Sequence, residues 1–220
     1  MSGLVLFGAN NPEVARLARA WQVVSGEPVL GFLDNDPAKQ QGSFHGFALL
    51  GGLNAVSALA AQGARFVNVI TRDCATRHTV TRQILQAGGT LGQFIHPEVN
   101  QLEVTLGLGS YIQQGALLQS AVRLGCNVSV SAGAIVNHET SLGDSCFVAP
   151  GANLCGKVTV AEGVFLGASC VVLPRLSIGA WAVIGAGAVV TSDVAPGQVM
   201  VGNPARCIGQ RPCFEESLHD

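Results

Sequence analysis

The sequence predicts two different folds in one chain, an α/β domain followed by a solenoid of short β-strands. Strand-like and helix-like segments alternate through the first 97 residues, and from Leu106 onward an aliphatic residue recurs at every sixth position. The composition agrees with coils that are narrow and turn often, since glycine contributes 28 of the 220 residues and aromatic residues make up only 5%.

The N-terminal region alternates short apolar runs with amphipathic stretches. Apolar runs of strand type occupy 4–7, 29–33 and 66–70, and a last run over 91–95 closes the region. Stretches with helical spacing occupy 12–21, 53–61 and 79–87. Strands that alternate with helices form parallel sheets with helices on their faces. We therefore predict a Rossmann-like domain over residues 1–97.

The six-residue repeat runs from 106 to 194 without a change of register. Its first position is always a branched aliphatic residue, and its fifth is small or medium-sized except at Leu176. Neither the period of a helix nor that of a strand produces this pattern, whereas a solenoid does. Fifteen hexads, three to a triangular coil, predict five coils stacked about 4.8 Å apart.

This solenoid is expected over residues 98–206, with 207–220 as a C-terminal tail. Glycines that directly follow the aliphatic position, such as Gly125 and Gly143, are expected to ease the backbone toward the corner of the coil. Cys146 and Cys170 fall at the small inward position, where we expect packing residues rather than nucleophiles.

Charge and cysteine usage exclude several classes of protein. The net charge of −2 gives no basic face for nucleic acid. No apolar run reaches the ~18 residues of a membrane span, and the N-terminus lacks the pattern of a signal peptide. The seven cysteines include no CxxC pair. We therefore expect a cytoplasmic protein with reduced thiols.

His138 is the catalytic candidate. It is the only histidine inside the repeat, and it lies between two inward positions of its hexad, so it should sit at a corner and face outward. An imidazole can act as a general base near neutral pH, and Glu139 beside it can orient the ring. The alternative from these residues alone is a solvated corner histidine.

The unbroken [LIV]-G-x-x-small-x pattern resembles the hexapeptide-repeat acyltransferases, and this resemblance implies a left-handed parallel β-helix. The segment 201–206 (VGNPAR), which follows Ala195-Pro196-Gly197, is similar to the one that ends the helix in many members. With an N-terminal Rossmann-like domain and the junction 94–97 (FIHP), the chain resembles one branch. That branch contains bacterial sialic-acid O-acetyltransferases and nucleotide-linked amino-sugar N-acetyltransferases.

The resemblance also implies the site residues, with acetyl-CoA bound in a groove between two β-helices of a homotrimer. Within the segment 137–143 (NHETSLG), it assigns catalysis to His138 and Glu139. It places Phe147 and Ala168 beside acetyl-CoA. Gly151, Gly167 and Gly185 are expected to contribute there as well, because a missing side chain admits a close ligand. The residues that it places around the substrate's nucleotide are Asn10, Asn11, Pro12, Asp34 and Asn35. Lys157 and Arg206 are alternative candidates for contacts to phosphates.

Several positions depart from the branch, including the segment 69–71 (VIT), which stands where a glycine is expected after the strand. Phe147 stands where many members have a second histidine, and Ser131 stands where an asparagine is common. In the glycine-rich turn over 8–13, Pro12 removes one of the backbone N–H groups that could hold a phosphate. These departures affect the identity of the acceptor more than the fold.

The leading hypothesis is an acetyl-CoA-dependent N-acetyltransferase that acts on a nucleotide-linked deoxyamino sugar in bacterial surface-glycan synthesis. A sialic-acid-type O-acetyltransferase is the nearest alternative, and a non-catalytic scaffold is a remote one. A metal-dependent protein of the γ-carbonic-anhydrase kind needs three histidines in adjacent coils, and only His138 is available, so no metal is predicted.

Overall fold

The computed structural model describes residues 2–71, 73–214 and 218, and its N-terminal part is an α/β layer structure. The helices are α1 (Pro12–Ser25), α2 (Val56–Ala61) and α3 (Cys74–Gln86), with 3-10 turns at Pro37–Lys39 and Leu53–Ala55. The strands are β1 (Gly3–Phe7), β2 (Val29–Leu33), β3 (Ser43–Phe44), β4 (Phe47–Ala48), β5 (Ala64–Asn68) and β6 (Thr90–Leu91). Four of the strands form a parallel sheet in the order β2-β1-β5-β6, as the alternating pattern predicted.

Local side-chain chemistry sets the ends of the helices. Asn11 caps α1 by accepting a hydrogen bond from the Glu13 amide at 3.0 Å, and Gly26 ends the helix in the left-handed conformation. α3 begins at Cys74 rather than at the predicted 79, because the Asp73 carboxylate accepts from the Thr76 amide at 2.7 Å and so starts the helix earlier.

The rest of the described chain forms a left-handed parallel β-helix over residues 94–201, and its last strand pairs antiparallel with the strand before it. Its strands are β7 (Phe94–Ile95), β8 (Thr105–Leu106), β9 (Tyr111–Ile112), β10 (Leu117–Leu118), β11 (Arg123–Leu124), β12 (Ser129–Val130), β13 (Ile135–Val136), β14 (Ser141–Leu142), β15 (Phe147–Val148), β16 (Asn153–Leu154), β17 (Thr159–Val160), β18 (Phe165–Leu166), β19 (Val171–Val172), β20 (Ser177–Ile178), β21 (Val183–Ile184), β22 (Val189–Val190), β23 (Gln198–Val201) and β24 (Arg206–Gln210). The predicted run 91–95 is therefore divided, because β6 pairs in the N-terminal sheet and β7 pairs with β9.

Strand pairing confirms a coil of eighteen residues. Ser129 pairs with Phe147 and Ile135 pairs with Asn153, each one coil further along the chain. The aliphatic positions of the hexads are buried, with Leu106 only partly so, and the small positions lie beside them in one continuous core. Cys146 and Cys170 are fully buried as expected, and burial raises the pKa of Cys170 to about 12.

The triangular cross-section has three sheets, which we name by their outer faces. The covered sheet (β7, β9, β12, β15, β18, β21, β23 and β24) lies against the N-terminal part. The apolar sheet (β10, β13, β16, β19 and β22) points Leu117, Ile135, Asn153, Val171 and Val189 outward, and the polar sheet (β8, β11, β14, β17 and β20) points Thr105, Arg123, Ser141, Thr159 and Ser177 outward.

Three corners join the sheets, and each is named here by one residue. The His138 corner connects the apolar sheet to the polar sheet, and the Asn127 corner connects the polar sheet to the covered sheet. The Ala168 corner connects the covered sheet to the apolar sheet.

The glycines after the aliphatic positions have a different purpose from the one expected. Gly125 and Gly143 do not have positive φ, whereas corner residues such as Glu139 and Lys157 do, at 57° and 63°. A Cβ on Gly125 would lie 2.3 Å from the Asp144 carboxylate in the next coil. These glycines are required by the close approach of the next coil, so the explanation from backbone conformation was wrong for them.

The N-terminal part packs on the covered sheet through both of its long helices. On the α1 side, Trp21 contacts Phe94 edge-on, and Phe94 stacks on Tyr111 with ring centroids 5.5 Å apart. On the α3 side, His78 contacts Trp181 edge-on, and its Nδ1 is 3.1 Å from the Ser145 hydroxyl at the Asn127 corner. No helix in the described ranges is long and apolar enough to cross a bilayer.

This interface should weaken in mild acid. Burial lowers the pKa of His78 below its ordinary value of 6.5, so the folded protein favours the neutral ring. As pH falls through about 6.5, the unfolded chain takes up a proton that the folded protein resists, and the free energy of unfolding decreases. Chemical denaturation of the wild type and of His78→Gln between pH 8 and 5 measures this dependence. The wild type should lose more stability toward low pH, by up to about 1.4 kcal/mol per pH unit for one proton; parallel curves would contradict the assignment.

Candidate active site

His138 is held at its corner by main-chain contacts from both neighbouring coils. Its amide donates to the Gln119 side-chain oxygen at 3.0 Å, and its carbonyl accepts from the Lys157 amide at 3.0 Å. The backbone is thus fixed while 54% of the side chain stays exposed. The structure confirms the predicted outward corner position.

Glu139 and Lys157 surround one side of the imidazole. The Glu139 Oε1 atom is 3.2 Å from His138 Nδ1, and its Oε2 atom is 3.4 Å from the Lys157 ammonium. The hydrogen bond to His138, together with Lys157, lowers the pKa of Glu139. All three side chains are about half exposed, so the carboxylate is ionised near neutral pH and is available to orient the ring.

This pairing determines which imidazole nitrogen is available for chemistry. An ionised carboxylate only accepts hydrogen bonds, so His138 Nδ1 must carry the proton that Glu139 accepts. In the neutral ring, Nε2 then holds the free lone pair. The arrangement can remove a proton from a group placed against Nε2, and Glu139 stabilises the imidazolium that results.

Gly156 lies directly against the imidazole, one coil after His138. A Cβ at this position would lie 2.5 Å from His138 Nε2 and 2.7 Å from its Cε1. The imidazole can therefore occupy this position only because residue 156 has no side chain. Sequence reasoning missed this residue, although the eighteen-residue coil predicts that residue 156 stacks on residue 138.

Gly156→Ala should reduce turnover without unfolding the protein. The added methyl group displaces the exposed imidazole, and a displacement of about 1 Å in a catalytic group costs up to about 10²-fold in rate. Steady-state kinetics should show kcat lowered by about 10- to 10²-fold, with an unchanged melting temperature. Gly209→Ala is the matched control, because a Cβ there meets nothing within 4 Å. Equal kcat values for the two variants would contradict this role of Gly156.

The residues expected beside acetyl-CoA lie elsewhere on the same chain. Gly151, Gly167, Ala168 and Gly185 share the Ala168 corner, one full side of the triangle away from His138. Gly151 is exposed and has φ of 69°, whereas Gly167 is buried. A single chain therefore brings His138 and Glu139 together, and separately brings these four residues together, but it does not join the two groups.

Phe147 belongs to neither corner. It lies on the outer face of the covered sheet, is 5% exposed and stacks on Phe165 with ring centroids 5.2 Å apart. Its cluster includes Cys74 of α3 and Trp181. Within one chain its surroundings are those of a packing residue, and its contact with acetyl-CoA stays a prediction.

The five residues expected around a nucleotide gather at the carboxyl end of β1 and β2. Asp34 is 8% exposed, and its two carboxylate oxygens accept from the Ala9 amide at 2.9 Å and the Asp36 amide at 3.0 Å. Asn35 accepts from the Leu53 amide at 3.1 Å. Asp34 and Asn35 therefore shape the loops, while Asn11 and Pro12 start α1.

A cavity of about 330 Å³ opens beside these residues. It is lined by Gly8, Asn10, Asn11, Val69, Ile70 and Thr71, at the carboxyl ends of β1 and β5. Lys39 reaches its edge and donates to the Asn10 side chain. Lys39 is a cation that sequence reasoning missed, because the 3-10 turn that carries it has no periodic signature.

Two residues named for phosphate contacts have other partners. Lys157 is paired with Glu139, and Arg206 donates to the Ala205 carbonyl at 2.9 Å. Within residues 2–71, 73–214 and 218, no three His, Cys, Asp or Glu side chains are placed to share a metal ion.

Known proteins share the β-helix and the N-terminal part of this chain. The family described as bacterial transferase hexapeptide (six repeats) matches residues 157–192. PerB from Caulobacter crescentus, crystallised with CoA and GDP-perosamine, is 30% identical over 95% of this chain and 98% of that one, with a TM-score of 0.85. No curated protein matches the chain.

Two further structures are similar over nearly the same extent. One is a variant of the GDP-perosamine N-acetyl transferase of Caulobacter crescentus with a histidine replaced by alanine, in complex with CoA and GDP-perosamine; it is 29% identical and covers 96% of this chain and 98% of that one, with a TM-score of 0.85. The other is the acetyltransferase domain of PglB from Neisseria gonorrhoeae FA1090 in complex with acetyl coenzyme A, 25% identical over 94% and 98%, with a TM-score of 0.82.

Proposed function

The chain belongs to the hexapeptide-repeat acyltransferases, and we propose that it is an acetyl-CoA-dependent N-acetyltransferase whose acceptor is the amine of a nucleotide-linked deoxyamino sugar. The observation that carries the proposal is the similarity to PerB over 95% of the chain, because it includes both the β-helix and the N-terminal sheet. PerB was crystallised with CoA and with an amino sugar linked to GDP.

His138 is the proposed general base. The acceptor amine attacks the thioester carbonyl, the carbon–sulfur bond breaks, and the sulfur leaves as the CoA thiolate. Nε2 of His138 takes the proton that the amine loses, and the proton then passes to the thiolate to give free CoA and the amide. Glu139, 3.2 Å from Nδ1, keeps the ring in the required tautomer and stabilises its charged form.

The site is proposed to lie between subunits of a homotrimer. The catalytic pair and the four acetyl-CoA residues occupy different corners of one chain, separated by a side that spans at most about 20 Å. The outer face of the apolar sheet is the surface that suits a second copy: Leu117 is 47% exposed there, and Ile135, Val171 and Val189 are partly exposed. Assembly through this face would bring the His138 corner of one subunit toward the Ala168 corner of the next.

The nucleotide is proposed to bind in the cavity at the carboxyl ends of β1 and β5. In the sheet order β2-β1-β5-β6, the strand that follows β1 in the sequence lies on one side of it and β5 lies on the other, so the direction of strand addition changes at β1. Ligands of open parallel sheets of the Rossmann kind bind at such a change of direction. Asn10, Asn11 and the ammonium of Lys39 supply polar groups for a diphosphate at this edge.

An acceptor panel tests the N-acetyltransferase proposal. Purified enzyme with acetyl-CoA is incubated with GDP-, UDP- and dTDP-linked 4-amino sugars and with sialic acid, and release of free CoA is followed together with product mass. We expect turnover with at least one nucleotide-linked amino sugar and a product that resists mild alkali, as an amide does. Turnover with sialic acid alone, giving an alkali-labile ester, would instead establish an O-acetyltransferase.

A further inference from the structure

Arg77 is a buried cation between the N-terminal part and the β-helix. The residue lies on α3 and is 0% exposed. Within the described part of the chain, its side chain donates four hydrogen bonds, all to neutral carbonyl oxygens and none to a carboxylate. Burial lowers the pKa of the guanidinium to about 10, so it remains charged at neutral pH.

The four bonds connect two places that are far apart in sequence. Nη1 donates to the carbonyls of Asn68 at 3.1 Å and Ile70 at 2.7 Å, where the chain leaves β5. Nη2 donates to the carbonyl of Asn127 at 2.7 Å and to its side-chain oxygen at 3.0 Å. Asn127 is a fully buried residue of the β-helix with φ of 55°.

A second set of bonds fixes the same exit from β5. The Asn68 amide group donates to the Arg77 carbonyl and to the Thr81 hydroxyl, each at 3.0 Å. Its oxygen accepts from the Ile70 amide at 3.0 Å. The segment from Asn68 to Ile70 is therefore attached to α3 through Asn68 and to the β-helix through Arg77.

This segment forms one wall of the cavity at the carboxyl ends of β1 and β5. Val69, Ile70 and Thr71 line that cavity, and Arg77 contacts the carbonyl of Ile70. A buried charge without a counter-ion is costly, and an apolar side chain would seal the interface as well. What the guanidinium adds is a planar set of donors that holds two backbone segments in one geometry.

We propose that Arg77 is a positioning residue that holds the nucleotide cavity in a fixed position relative to the β-helix that carries out acetyl transfer. The inference rests on the proposed function for its kinetic consequence, because the acceptor must reach from this cavity to the catalytic groove. The attachment of residues 68–70 to Asn127 through Arg77 does not depend on that function and would apply to any ligand of the cavity.

Kinetics of Arg77→Lys and Asn127→Gly test the proposal, with Arg65→Met as the control. Lysine keeps a charge but cannot donate to both segments as Arg77 does, and glycine removes the side-chain acceptor while tolerating the positive φ of residue 127. Arg65 begins the same strand at its far end, where its side chain pairs with Glu27. We expect KM for the nucleotide-linked amino sugar to rise about tenfold or more in both variants, with KM for acetyl-CoA within about twofold. Equal rises of both KM values, or none, would overturn the proposal.

Amide hydrogen exchange provides a readout that needs no substrate. The Val69 amide donates to the Phe7 carbonyl at 3.0 Å and the Ile70 amide to Asn68, so both should be protected in the wild type. Exchange over 69–71 should be faster in Arg77→Lys and Asn127→Gly than in Arg65→Met, at equal global stability. Unchanged exchange would overturn the attachment itself. If no nucleotide sugar is acetylated by the wild type but exchange still rises, the proposed function fails and the attachment stands.

Discussion

His138→Ala is expected to lower kcat by about 10²–10⁴-fold, the usual range for loss of a general base. The side chain is 54% exposed and is not part of the core, so its removal should leave the fold intact. The variant should therefore fold and bind acetyl-CoA as the wild type does. Turnover at saturating concentrations of both substrates, together with the melting temperature, measures the effect.

Two further variants show whether the loss of activity comes from removing the base at His138. Glu139→Gln keeps an acceptor for Nδ1 but removes the charge, so it should lose less activity than His138→Ala, on the order of 10-fold. His45→Asn is the control, since His45 is an exposed histidine like His138 but lies in the N-terminal part. Asn is chosen because it tolerates the positive φ of residue 45, at 45°. Full activity in His138→Ala, or an equal loss in His45→Asn, would remove His138 as the base.

Mixed trimers of two inactive variants are expected to regain activity. His138→Ala disables the His138 corner, and Ala168→Trp should block the Ala168 corner, where Ala168 is only partly buried. If each site takes one corner from each of two adjacent subunits, a trimer that contains both variants keeps about one intact site in three. These mixed trimers should then reach about one third of wild-type activity from two nearly inactive parents.

The variants are co-expressed with different affinity tags, and trimers that carry both tags are isolated before assay. His138→Ala co-expressed with a tagged copy of itself is the control and should stay inactive. An intrachain site would leave every mixed trimer inactive, because each chain then lacks one half of its own site. A chain that is monomeric by light scattering would also contradict the shared site.

The β-helix could be predicted from sequence because its register is strictly local. One aliphatic position every six residues is sufficient to define the inward face of each coil, from Ile112 to Val190. The stacking of residue i on residue i + 18 follows from that period and leads directly to Gly156 and Lys157 as neighbours of His138 and Glu139. The contacts of these two residues with His138 and Glu139 could therefore have been predicted from the sequence. They were missed because each hexad was considered by itself.

Other features depend on tertiary packing and have no periodic signal. The run 91–95 appeared as one strand, but a change of sheet between Leu91 and Phe94 divides it. The environment of Phe147 depends on the docking of α3, which no local pattern specifies. The same holds for Arg77, whose partners Asn68 and Asn127 are 9 and 50 residues away in sequence.

The pairing of His138 with Glu139 could be predicted from the sequence, and the acceptor could not. A corner histidine followed by a glutamate is visible in the sequence, and the structure places the two side chains 3.2 Å apart. The cavity at the ends of β1 and β5, which is proposed to bind the acceptor's nucleotide, is formed by loops. In those loops Asp34, Asn35 and Asn11 have their side-chain oxygens bound to backbone amides.

The most direct test of the account is the value of kcat/KM for a nucleotide-linked amino sugar compared with that for the same amino sugar without its nucleotide. The nucleotide is proposed to bind at the N-terminal sheet and acetyl transfer to occur on the β-helix, so binding energy from the nucleotide should position the amine at His138. We therefore expect a preference of at least about 10²-fold for the nucleotide-linked sugar. Equal kcat/KM values for the two acceptors would contradict it.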